Sequence, residues 1–184
     1  MGQEGQIGDL ERSKFDAATN AVVRISDAHK ETHDGNHFVV SEVNSLDDTN
    51  TREYLVTTPN TTKWSHFMLT VIGSLDTKID VYEDTTKTGG TGLTEHNRNR
   101  NSSTTATTTV AHTPSGAGDG TLIFTMRFGH DTLSTALGGI VDTSRGENEW
   151  VLKQNAKYLI RITSNTDGNN ITSILNWYEL TNKN

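Results

Sequence analysis

The residues best equipped for chemistry cluster in Glu95-His96-Asn97-Arg98-Asn99-Arg100-Asn101-Ser102-Ser103. On an extended strand Arg98 and Arg100 point to one side and Asn97, Asn99 and Asn101 to the other, because successive side chains alternate. Two guanidinium forks side by side can each grip a carboxylate through paired hydrogen bonds, a geometry that lysine does not reproduce. The carboxylates can be the chain's own, bracing the loop, or a partner's, across a subunit boundary. Arg98, Arg100, Asn99 and Asn101 are therefore candidate interface residues. Trp64 and Trp150 join them as candidate anchors, since Trp and Arg are enriched at binding hot spots. Plain core packing is the competing role for both tryptophans.

Other constellations carry less. His29, His33 and His37 fall at i, i+4 and i+8, the spacing of a metal-binding helix face. Gly35 interrupts that segment and His37 opens an expected strand, so the three are read as surface or turn histidines. No Gly-x-Ser-x-Gly turn is present for a serine nucleophile. Gly89-Gly90-Thr91-Gly92 lacks the Lys and the helix that make a phosphate loop. Carboxylates such as Asp80, Glu83, Glu149 and Glu179 exist, but glycosidase chemistry needs two of them opposed across a cleft, which spacing alone does not give. Zero Cys excludes a disulfide scaffold, a thiolate zinc site and a cysteine nucleophile. The expectation is a non-enzyme with no cofactor and no metal. One binding alternative survives: Trp177-Tyr178 as an aromatic platform for a sugar.

The elements that must hold these residues read as strands. The 184 residues include 30 Thr and 16 Asn, a composition that favours strands and turns over helices. The hydrophobic share is only 32%, yet a chain of this length can still bury roughly 70% of its unfolded surface. Period-two segments include Ala21-Val22-Val23-Arg24-Ile25, then 37–43, 54–57, 63–75, 78–83, 121–128, 149–152, 157–163 and 171–179. In 63–75, Trp64, His66, Met68, Thr70 and Ile72 face one way while Phe67, Leu69 and Val71 face the other, which predicts a central strand covered on both sides. About ten short strands with turn signals between them predict an all-β fold, an antiparallel β-sandwich of jelly-roll type spanning 21–184. Residues 1–20 read as a flexible N-terminal arm, with a short helix at most over 10–18. No apolar stretch approaches the length of a membrane span. Of the net charge of −7, residues 1–53 carry −6. That balance argues against a nucleic-acid surface, which needs clustered Lys and Arg.

Several blocks in order resemble structural proteins of tailed bacteriophages. They are Thr57-Thr58-Pro59-Asn60-Thr61-Thr62-Lys63-Trp64-Ser65-His66, then His96 through Thr105 leading to His112-Thr113-Pro114, then Glu149-Trp150 with Lys157-Tyr158-Leu159-Ile160-Arg161-Ile162, and finally Asn176-Trp177-Tyr178-Glu179. The resemblance covers roughly 29–179 and leaves out the N-terminal arm. It implies a head decoration or capsid cement protein: a β-sandwich module, often trimeric, that sits on the capsid exterior and bridges neighbouring capsomers. The implied partners are the major capsid protein and two further copies of the chain, with no nucleic acid and no membrane. The implied location is the virion exterior, after synthesis in the host cytoplasm. A receptor- or carbohydrate-binding module of a phage fibre is the alternative.

Overall fold

The computed structural model describes residues 27–130, 139–142 and 149–181. The arm expected over 1–20, the short helix over 10–18 and the strand over 21–25 lie outside them. The chain runs α1 (Asp27–Asp34), β1 (His37–Leu46), β2 (Thr51–Thr57), β3 (Lys63–Gly73), β4 (Thr77–Glu83), β5 (Thr91–Gly92), β6 (His96–Asn97), β7 (Thr109–His112), β8 (Thr121–Phe128), β9 (Gly139–Asp142), β10 (Trp150–Val151), β11 (Lys157–Ser164) and β12 (Asn169–Thr181). The strands form two antiparallel sheets, packed as a β-sandwich. Sheet I is ordered β10-β3-β12-β1-β6, with β9 also pairing β3; sheet II is ordered β5-β7-β2-β11-β4-β8.

Alternation explains which face each strand buries. From sheet I, Phe38, Val40, Phe67, Leu69, Val71, Ile171, Leu175 and Trp177 point inward; from sheet II, Tyr54, Val56, Ile79, Val81, Tyr158, Ile160 and Ile162 meet them. Burying each large side chain contributes roughly 1.5–3 kcal/mol. β3 is central in sheet I as its pattern predicts, with β12 on one side and β9 and β10 on the other. Its outer face is unevenly covered: Met68 is buried, whereas Ile72 is 37% exposed. In sheet II the outer face is closed over its middle, where Leu55 and Leu159 pair directly and are both buried.

α1 was not legible in the sequence. Its segment, Asp-Ala-His-Lys-Glu-Thr-His-Asp, carries no apolar stripe, and a helix this short is marginal without tertiary contacts. Those contacts come from Glu31, almost fully buried, which accepts a hydrogen bond from Asn36 Nδ2 at 2.9 Å. The helix stops at Gly35, whose φ of +76° suits glycine and where a Cβ would overlap the Ser102 side chain.

One buried carboxylate organises the crossing between the sheets. Glu179, on the inner face of β12, is 1% exposed. It accepts from Thr107 N at 2.9 Å, Thr107 Oγ1 at 2.6 Å, Thr108 N at 2.8 Å and Trp177 Nε1 at 3.1 Å. Thr108 Oγ1 also hydrogen-bonds Ser65 Oγ of β3. The segment from 104 to 109 is thus a crossing from β6 to β7 that bends at Thr107 and Thr108, where Glu179 holds it, and becomes regular strand only at Thr109.

Several other charges pair across strands. On sheet II, Glu53 accepts from Lys87 Nζ at 2.8 Å and Arg161 Nε at 2.8 Å, and Arg161 Nη2 reaches Asp119 Oδ1 at 2.7 Å. Between the sheets, Arg52 Nε donates to Glu42 Oε2 at 2.8 Å, and Tyr54 Oη donates to the same oxygen at 2.8 Å.

Two stability experiments follow from these contacts. Glu179→Ala strips Thr107 N of its acceptor and leaves Thr108 N and Trp177 Nε1 buried and unpaired, at roughly 1–3 kcal/mol for each of these two. A loss of about 3 kcal/mol or more in urea unfolding is expected, against about 1 kcal/mol for Thr107→Val, which removes only one hydroxyl. The second experiment is the pH dependence. Arg127 holds Asp76, and Arg161 holds Asp119, below the ordinary carboxylate value of 3.8. Burial pushes Glu42 up, but its hydrogen bonds from Arg52, Asn44 and Tyr54 outweigh that and leave it below 4.5. Depressed carboxylates add stability above their unfolded values and lose it as pH falls through the folded ones. Burial pushes the Tyr54 and Tyr158 phenols up from 10.0 to about 12. Their contribution is complete below pH 10.0 and disappears as pH rises toward 12. The urea midpoint should therefore be flat from about pH 5 to about pH 9 and fall on both sides.

Candidate functional site

The loop that follows β6 is built by asparagines. Asn97 is buried, donating from Nδ2 to Gly35 O at 2.7 Å and Thr104 O at 3.0 Å. Its Oδ1 accepts from Asn99 N at 2.9 Å, and Asn99 Oδ1 accepts from Asn101 N at 3.1 Å. These side chains mimic the backbone turn and compete with a strand ladder. The strand therefore ends at Asn97, and the extended run expected through Arg98 and Arg100 is replaced by a turn. Exposed Asn101 sits on that turn, and Asn99 reaches back to cap α1, donating from Nδ2 to His33 O at 2.9 Å.

The two arginines consequently do not form a carboxylate clamp within the described residues. Arg98 Nη1 meets Asn176 Oδ1 at 3.3 Å, and Arg100 Nη1 meets its neighbour's carbonyl, Asn97 O, at 3.3 Å. Both side chains are exposed. Their long contacts to neutral acceptors leave two full positive charges on the surface of a chain whose net charge is −7. An exposed guanidinium fork with capacity to spare can receive a carboxylate from another molecule.

Beside this loop, on the outer face of sheet I, lies a cluster that sequence reasoning missed. Strand register places His37, Tyr178 and His66 in one row across β1, β12 and β3. Glu149, just before β10, closes over them. Its carboxylate accepts from Tyr178 Oη at 2.7 Å and lies 2.6 Å from His66 Nδ1. The His66 and Tyr178 rings stack at 4.7 Å with planes 14° apart, and His37 meets the edge of Tyr178 at 6.0 Å. A carboxylate holding one imidazole nitrogen is how a general base is oriented. Among the described residues no hydroxyl nucleophile is hydrogen-bonded to His66; Ser65 points to the opposite face and binds Thr108. The arrangement's evident effect is mechanical: it fastens the segment entering β10 to β3 and β12. Its four members are each over 25 residues apart in the chain, so only the fold brings them together.

The tryptophans divide by environment. Trp64 sits half-buried on the outer face of sheet I, opposite Leu180. Trp150 pairs Phe67 in register and turns inward, meeting Phe124 of β8 edge to face at 5.6 Å. With Phe67, Leu69 and Val81 these two rings line an apolar recess between the sheets. Trp177 is fully buried and Tyr178 nearly so, which removes the exposed sugar platform expected from that pair.

The recess opens at an edge. Among the described residues β8 pairs only β4 and ends sheet II. A bulge opposite Val81/Tyr82 shifts its register. Leu122, Ile123 and Met126 are 50%, 44% and 42% exposed. An edge strand offers unpaired backbone groups to another chain, and this one adds apolar side chains.

Substitutions separate clamp from surface. Glu149→Gln should cost roughly 1–3 kcal/mol in urea unfolding, since it leaves hydrogen-bonded partners at a half-buried site poorly satisfied. Arg98→Ala and Arg100→Ala should stay within about 0.5 kcal/mol of the parent, as exposed substitutions away from core features do. No protein-family model, curated protein or solved structure matches this chain, so what these surfaces do rests on their chemistry.

Proposed function

We propose that the protein is a virion structural component that decorates and cements the exterior of a tailed-phage capsid by bridging neighbouring capsomers. The observation that carries this reading is a pair of unlike adhesive surfaces on opposite lateral edges of one sandwich. On one edge, after β6, stand the exposed cations Arg98 and Arg100. On the other, β8 presents Leu122, Ile123 and Met126 along an edge that no strand among the described residues covers. A bridging protein needs two such contacts facing apart; a single-ligand binder needs one concave site.

The ordered blocks that resemble phage head proteins support the same reading. We also read the topology as a jelly roll, the double Greek-key sandwich found in viral capsid and lectin domains. Support comes from the order of the eight main strands: β10-β3-β12-β1 in one sheet and β2-β11-β4-β8 in the other. Assembly as a homotrimer bound to the major capsid protein would gain by valency. Linked footprints raise avidity by about 10²–10⁴ when all engage together. Binding the assembled lattice stabilises it by mass action.

Co-sedimentation with expanded capsids stripped of decoration tests the proposal, with unexpanded shells and free capsid subunits as controls. Saturable binding to expanded shells alone, with a raised shell-disruption temperature, is the expected result. Ile123→Lys and the double variant Arg98→Ala/Arg100→Ala should each weaken binding at least tenfold, the factor for about 1.4 kcal/mol, while remaining folded by circular dichroism. Absence of binding to every form would overturn it, and a glycan array would then examine the fibre-module alternative.

A further inference from the structure

α1 brings two imidazoles face to face. His29 and His33 are one helical turn apart, and both rings are exposed. Their Nε2 atoms are 3.0 Å from one another, with ring centroids 4.7 Å apart and planes tilted by 53°. We infer that His29 and His33 form a two-imidazole chelate for a divalent transition-metal ion, with Cu2+ and Ni2+ preferred over Zn2+.

The spacing carries the inference. Two imidazole nitrogens, each ~2.0–2.1 Å from a metal, stand ~3.0 Å apart when the ligands meet at a right angle and ~3.4 Å apart in a tetrahedron. The observed 3.0 Å therefore fits adjacent positions of a square-planar or octahedral ion, the geometry of Cu2+ and Ni2+ nitrogen sites. Helical positions i and i+4 supply this bite because they lie above one another on one face.

The helix is held ready for it. Its last turn is fixed by buried Glu31 on Asn36, by Thr32 Oγ1 on His37 Nδ1 at 2.8 Å, and by Asn99 Nδ2 on His33 O at 2.9 Å. The carboxylates nearest in sequence are engaged elsewhere: Lys30 Nζ takes Asp34 at 2.6 Å and Glu31 at 3.2 Å. Among the described residues no group of three or more His, Cys, Asp or Glu converges on a point. Water completes the coordination, so the site binds reversibly and joins two successive turns of α1. His37, the third member of the sequence pattern, lies on β1 and takes no part.

The test is titration of tag-free protein with CuCl2, NiCl2 and ZnCl2 by calorimetry, with electron paramagnetic resonance on the Cu2+ complex. One Cu2+ per chain is expected, with coupling to two equivalent imidazole nitrogens. His29→Ala and His33→Ala should each weaken it about 100-fold, since either change converts two-point into one-point attachment. The double variant should lose little more, and His96→Ala should bind like the parent. Both rings are exposed, so melting without metal should be unchanged in all four proteins, which separates ligand loss from unfolding. A titration with no saturable site would show the rings to be merely hydrogen-bonded to one another and overturn the inference. Binding undiminished in His29→Ala or His33→Ala would overturn it equally.

Discussion

Glu179 is the constraint on which the rest of the sandwich depends. A carboxylate at 1% exposure is tolerable only when its oxygens are satisfied. Here two backbone amides, a hydroxyl and an indole do that. Each donor belongs to something the fold needs. Thr107 and Thr108 carry the chain from sheet I to sheet II, and Trp177 is the largest fully buried side chain. An apolar residue in place of Glu179 would pack, but it would give the threonine crossing no fixed path. The path matters because Asn97 and the turn bearing Arg98 and Arg100 stand immediately before it. The position of the surface cations is thus inherited from a buried anion.

The acidic excess of the first 53 residues has a matching internal explanation. Glu42 is neutralised by Arg52, while Glu53 takes Lys87 and Arg161 from strands and loops much later in the chain. Charge that looks segregated along the sequence is interleaved in space. Within residues 27–53, Glu31, Asp34, Glu42 and Glu53 pair with the chain's own cations, while Asp47 and Asp48 stay exposed. What remains available at the surface near α1 is positive, in Arg98 and Arg100. Any partner that engages Arg98 and Arg100 is therefore expected to present carboxylates.

Much of the sandwich was legible because alternation is a local property. The β3 pattern of Phe67, Leu69 and Val71 against Trp64, His66 and Met68 needs nothing but a pleat, and the turn residues Gly35, Asn155 and Gly168 all adopt the positive φ that their types favour. Failures occurred where side-chain hydrogen bonds or distant residues, not alternation, set the outcome. Arg98 and Arg100 sit in a segment whose alternation is genuine, but asparagine side chains capture the backbone amides first. Trp177-Tyr178 looks like an exposed platform until strand pairing places β12 in the middle of its sheet. His66, Glu149 and Tyr178 carry no sequence signal at all, because only register joins them. α1 lacked an apolar stripe and is held by Glu31 from below, a tertiary fact that no propensity encodes.

The two adhesive edges differ in what they can tolerate, and this bears on bridging. The arginines follow β6 at one edge of sheet I and β8 closes the opposite edge of sheet II, so at ~4.8 Å per strand the two face apart across a width of roughly 20 Å. No flat partner reaches both at once. A surface of charged forks can be rinsed off by salt, since exposed ion pairs are screened, whereas apolar burial strengthens in the presence of excluded salts. A protein carrying one contact of each kind retains at least one hold under either condition. In the proposed cementing role, unlike edges would serve better across changing ionic strength than two copies of the same one. That asymmetry also opposes runaway polymerisation: β8 cannot be satisfied by the arginine loop of a second copy, because neither supplies what the other lacks.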